Sequence, residues 1–111
     1  MRRLARRLTP RNLDTVRFED GTAEHLPIAD GWGDVVWAIA SAHHWDDVEA
    51  GVAECRRVLA PTGRLLIVEN TAGHHGFTEA RFREIAAMIP NATLEQFDAA
   101  RHHYSVITAT C

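Results

Sequence analysis

Residues 33–70, GDVVWAIASAHHWDDVEAGVAECRRVLAPTGRLLIVEN, leave little choice of local fold. Residues 34–40 form a short, almost wholly apolar run rich in Val and Ile. Bounded by turn signals, such a run predicts a strand covered on both faces. The period then changes. Val48, Val52, Cys55 and Leu59 recur at steps of four, three and four, with Gly51 and Val58 on the same side, which is one apolar stripe of a helix. Asp46 is placed to cap it, with Glu49 three residues on completing a capping box. Pro61, Thr62 and Gly63 are expected to stop it. Leu65, Leu66, Ile67 and Val68 then make a second apolar strand. Strand, helix and strand at this length form a βαβ unit, whose strands run parallel with a right-handed crossover.

Composition excludes more than it selects. With 111 residues there is room for one domain and one modest core, and 46% hydrophobic residues predict a folded chain rather than a disordered one. A net charge of -3 gives no general attraction to nucleic acid or anionic lipid. No apolar run approaches the roughly 20 residues of a membrane span. Cys55 and Cys111 are far apart in sequence, so a disulfide framework is not expected and a reducing cytoplasm fits best.

Outside the central unit the signals are shorter. Arg2, Arg3, Arg6 and Arg7 around Leu4, Ala5 and Leu8 suit a short basic amphipathic helix ended by Pro10. A transit peptide or an anion-binding arm are its functional readings, and an ordinary solvated helix face outweighs both. Residues 15–18 read as a brief strand, followed by a turn at Glu19, Asp20 and Gly21 and a loop through Leu26, Pro27 and Ile28. After Asn70 comes a Gly/His loop over residues 71–76. Thr78 is expected to cap a helix reaching Ile89, with Phe82, Ile85, Ala86 and Ile89 as its apolar stripe. Residues 93–97 and 104–110 read as strands able to pair as an antiparallel hairpin at a sheet edge. Three adjacent His pairs, His43-His44, His74-His75 and His102-His103, raise a metal site as a minor possibility. Neighbouring residues point apart and Cys ligands are lacking, so none is assigned.

Several marks now stand in one order. Gly21-Thr22-Ala23-Glu24 is followed by Leu26-Pro27. Asp34-Val35-Val36 opens a strand, His43-His44-Trp45-Asp46 follows it, and Arg57-Val58-Leu59-Ala60-Pro61-Thr62-Gly63-Arg64-Leu65 leads into the next. In that order and spacing they resemble the class I S-adenosylmethionine-dependent methyltransferases, most closely the small-molecule group called methyltransferase type 11, similar to the ubiquinone/menaquinone methylases. The resemblance covers about half the chain.

The resemblance implies an α/β fold: a Rossmann-like, mainly parallel sheet with an antiparallel C-terminal edge hairpin. It places the chain as a single partial domain, residues 1–111, truncated at its N-terminus. It also implies S-adenosylmethionine as cofactor and a small-molecule methyl acceptor. Asp20, Gly21, Thr22 and Ala23 would lie against the adenine. Many relatives have Asp where Thr22 stands, and Thr retains one hydrogen bond there. Ala40 and Ser41 would pass the methionine part of the cofactor. Trp45 would close that wall or staple the helix. His43 or His44 is the candidate base if the acceptor carries a proton. The family's Gly-rich first motif and the acid after its second strand do not occur in these residues, and no glycine precedes Gly21. Weakened cofactor binding and low activity are therefore expected of this chain alone. The apolar edge of the strand at residues 34–40 would then either be covered by the strand at residues 15–18 or, the preferred outcome, pair with a second copy to give a homodimer. The alternative function is a non-catalytic homologue that works by association.

Overall fold

A computed structural model of the chain describes residues 19–71 and 76–110. The expected basic helix at residues 1–8, the strand at residues 15–18 and the His74-His75 pair lie outside the described residues.

The predicted βαβ unit is present. β1 (Gly33–Ile39) runs parallel to β2 (Leu59–Asn70), with α1 (Val48–Val58) between them. α1 buries Gly51, Val52, Cys55 and Val58, the stripe read from the period. Its cap is Asp47 rather than Asp46: the Asp47 carboxylate accepts from the Ala50 N–H at 3.0 Å. Asp47 has the extended backbone that a cap needs (φ −136, ψ 99). Glu49 joins no capping box; its carboxylate takes Arg81 of the next helix instead, at 2.7 Å.

The Pro61-Thr62-Gly63 stop acts differently from a free turn. The helix ends at Val58 and the chain is extended from Leu59 onward, with residues 61–63 inside β2. The register carries the irregularity: Gly33 faces Leu59, whereas Val35 already faces Arg64. From there pairing is regular through Ile39 and Val68.

α2 (Glu79–Ala87) is capped by Thr78, whose hydroxyl accepts from the Arg81 N–H at 3.1 Å. It stops short of Ile89; Met88 and Ile89 form a tighter turn, and Asn91 reverses the chain at φ 61, a conformation Asn tolerates. β3 (Ala92–Ala99) and β4 (His102–Thr110) form the expected antiparallel hairpin, each longer than its sequence signal. Ala100 and Arg101 turn it with φ of 49° and 67°. Two positive φ values mark the mirror-image turn that suits strand twist. Neither residue is the usual Gly or Asn, so the turn was not visible in the sequence.

Sheet order is β1-β2-β4-β3, with one parallel pair and two antiparallel pairs. One face is covered. Leu65 and Ile67 of β2, with Ile107 and Ala109 of β4, pack against Val52 and Cys55 of α1 and Phe82 and Ile85 of α2. Side chains alternate along a strand, so Val35, Trp37 and Ile39 point the other way. They are 52%, 69% and 63% exposed, and β1 is the edge strand among the described residues. The strand expected to be covered on both faces is covered on one by the described residues.

Candidate functional site

The polar residues of interest gather where β1 and β2 end, the side of a parallel pair where ligands bind in open α/β sheets. β1 hands over through Ala40, whose N–H still donates to Val68 O at 2.8 Å while its own φ is 53°. A left-handed Ala is uncommon and turns the chain sharply off the strand. Ser41 follows, then a single 3-10 turn, Ala42–His44. The His44 and Trp45 N–H groups close back on Ser41 O and Ala42 O.

His43 is the held residue of the two histidines. Its N–H donates to Glu69 Oε1 at 3.2 Å, and its Nδ1 lies 2.9 Å from Glu69 Oε2. Glu69, next to last in β2, is buried at 1% exposure. His44 is exposed, with its ring centre 3.9 Å from that of His43. Phe77 meets His43 edge-on, at 6.5 Å between centres. Below Glu69 the Thr71 and Ser105 hydroxyls bond at 2.8 Å, so the buried polar groups here satisfy one another. Glu69 was missed in the sequence. Its signal was an acid at the carboxyl end of a strand otherwise buried.

Trp45 folds back onto α1. A Cβ on Gly51 would overlap its ring, so Gly51 is what lets the indole lie flat there, and the ring packs on the core.

The turn at Gly21, Thr22 and Ala23 is tight. Thr22 O accepts from the His25 N–H at 3.1 Å, and a Cβ on Gly21 would sit 2.7 Å from Pro27 Cδ. Asp20 beside it is exposed. Two clamps fix this loop to α1. Glu24 Oε1 accepts from the Asp47 N–H at 3.0 Å, which sets the turn beside the α1 N-terminus and hence beside the segment leaving β1. Farther along, Glu54 accepts from the Leu26 N–H at 2.8 Å and from Arg57 Nε at 2.7 Å, while Arg57 reaches Leu26 O and Asp30.

The Arg57 guanidinium, helped by the Leu26 N–H, holds the Glu54 carboxyl down at about 2, against an ordinary 4.5. A depressed carboxylate stabilises the fold above its ordinary pKa, and that contribution is lost as pH falls toward its folded value. The Tm deficit of Glu54→Gln should therefore be full at neutral pH and shrink between pH 4.5 and about 2. Thermal melts across that window check it; a deficit independent of pH would break the link.

Cys55, His102 and His103 lie outside the Ala42–His44 turn. Burial pushes the Cys55 thiol up to about 11, the behaviour of a packed hydrophobe rather than a nucleophile. His103 is raised by Asp98, with Glu79 adding to it, and His102 contacts Asn70. Among the described residues no group of His, Cys, Asp and Glu is arranged to hold a metal ion. A shallow cavity of about 100 Å³ lies elsewhere, lined by Leu59, Leu65, Ile89 and Ala109.

A family profile described as a methyltransferase domain matches residues 1–67. The chain belongs to the methyltransferase domain family. It is 37% identical over 92 residues to the 27-O-demethylrifamycin SV methyltransferase of Amycolatopsis mediterranei, covering 78% of this chain and 34% of that enzyme. It is 42% identical over 62 residues to the uncharacterised methyltransferase YcgJ of Bacillus subtilis, covering 56% of this chain and 24% of that protein. Among solved structures it superposes on the 1,6-didemethyltoxoflavin-N1-methyltransferase of Burkholderia thailandensis with a TM-score of 0.70 at 22% identity, covering 97% of this chain and 54% of that one. That neighbour holds 1,6-didemethyltoxoflavin and S-adenosylhomocysteine. The methyltransferase chain thus spans about a third or less of these curated relatives and about half of the solved one.

The arrangement is compatible with part of a sulfonium-nucleoside site. The Gly21 turn has no room for a side chain on its inner side, and the left-handed Ala40 turns the chain away at the strand's end. Both present backbone rather than bulk, and the Glu24 clamp keeps them at one end of the sheet.

Proposed function

We propose that this chain contributes the adenine-edge and acceptor-side portions of an S-adenosylmethionine-dependent methyltransferase acting on a small molecule. The observation that carries the reading is the Ala40–Ser41 turn leaving β1 at φ 53°, directly before His43 and beside the clamped Gly21 loop. In this reading Asp20, Gly21, Thr22 and Ala23 hold the adenine, and the backbone at Ala40 and Ser41 holds the methionine portion. Trp45 backs that wall from its seat on Gly51. When bound, the cofactor supplies a methyl group already activated by its sulfonium charge. The protein's task is then mainly alignment. His43, with His44 beside it, is placed to take a proton from the acceptor.

The test is an amide NMR titration with S-adenosylhomocysteine. Saturable shifts are expected at Gly21, Thr22, Ala23, Ala40 and Ser41, with a dissociation constant in the range of about 0.1–1 mM, as suits a partial set of contacts. Shifts absent at those amides, or scattered over the β3–β4 hairpin, would overturn the reading.

Among the described residues nothing pairs with the outer edge of β1, which favours one further assembly, a homodimer paired along that strand. Sedimentation velocity should show a dimer fraction that grows with concentration and is lost in Trp37→Lys. A monomer at every concentration would remove it. None of the relatives named above points to a non-catalytic association role.

A further inference from the structure

We propose that Glu69 is the positioning residue for His43, and that the pair takes the proton of a hydroxyl acceptor. This deepens the methyltransferase reading and rests on it.

A carboxylate at 1% exposure loses its hydration and is costly to bury unless partners meet it. Among the described residues both partners of Glu69 come from His43: the backbone N–H on Oε1 and the ring Nδ1 on Oε2. The backbone bond sets where the 3-10 turn sits on β2. The ring bond sets the tautomer. With a carboxylate oxygen as its partner at 2.9 Å, Nδ1 carries the hydrogen, and Nε2 is left with its lone pair. The His43 side chain remains 21% exposed while that of Glu69 is 1% exposed, so the ring is held on its buried side and open on the other. Nε2 has no hydrogen-bond partner among the described residues.

Such a pair is of most use to an acceptor that is a poor nucleophile until it loses a proton. A neutral amine attacks through a free lone pair; an alcohol, phenol or enol gains most from a base. As the acceptor is methylated its O–H bond breaks and the proton ends on Nε2. The O–H electron pair remains on the oxygen, and an oxygen pair forms the new O–CH3 bond. The C–S pair stays on sulfur, so positive charge passes from sulfonium to imidazolium. Glu69 then faces a cation in place of a neutral ring, which is the state it stabilises.

The experiment is a long-range 15N–1H NMR measurement of the neutral His43 ring in the whole chain. The Nδ1–H tautomer is expected. In Glu69→Gln the carboxamide can donate to Nδ1, so the population should move to the Nε2–H form, with the amide spectrum otherwise retained. An Nε2–H tautomer in the unsubstituted chain overturns the proposal, and that result needs no variant to fold. Equally, an unchanged tautomer in a folded Glu69→Gln chain shows a packing role only and overturns it. The S-adenosylhomocysteine titration separates the two ideas. Binding with the wrong tautomer removes the Glu69–His43 assignment and leaves the methyltransferase reading standing. No binding removes that reading, and the acid–base role with it, whatever the tautomer.

Discussion

Phe82→Ala should lower the unfolding free energy by about 3–5 kcal/mol. The Phe82 side chain is 0% exposed and belongs to the cluster where α1, α2, β2 and β4 meet. Truncation removes its apolar area from the core and leaves a cavity that Leu65, Ile85 and Ile107 cannot collapse to fill. Domains of this size are stable by about 5–15 kcal/mol, so the loss takes a large share of the whole. Urea denaturation followed by circular dichroism reads it as a lower midpoint at unchanged slope. A loss under about 1 kcal/mol would mean that α2 does not pack on the sheet as described.

The second large effect is expected at Gly63. A Cβ there would lie 2.7 Å from Leu59 Cδ1 and 2.9 Å from Gly33 O. The Leu59 side chain can move, but the Gly33 carbonyl belongs to the start of β1 and cannot move without dragging the strand. Gly63→Val should cost about 1–3 kcal/mol, the usual range for overpacking. The same denaturation experiment measures it. Because the shift propagates along β1, the amide signals of Ala40 and Ser41 should move as well, although they lie at the far end. Unmoved signals there would show that the register irregularity absorbs the strain locally.

Local signals made the central unit legible because each was redundant. The α1 stripe, the stop at Pro61 and two apolar runs agreed, and the parallel pairing of Val36 with Leu65 through Ile39 with Val68 followed from them. The hairpin was legible from Val106, Ile107 and Thr108, but its length was not, because Ala100 and Arg101 adopt positive φ without a residue type that announces it. The cap moved from Asp46 to Asp47 because adjacent acids are equivalent in sequence, and only the path out of the 3-10 turn chooses between them. At the site, His43 stood out by type. Glu69 did not: its significance depends on a partner 26 residues away, and a contact between strand end and turn leaves no periodic trace.

Trp37 stands 69% exposed on the uncovered face of β1, where its neighbour across the strands is Leu66. An indole so placed is a fluorophore bathed in solvent. Anything that lands on that face, whether a ligand, another protein or a second sheet, must strip water from it. With Trp32, itself 64% exposed, replaced by Phe, the molecule carries its own optical probe of that surface, read as a blue shift in emission against the steadier background of Trp45 seated on Gly51.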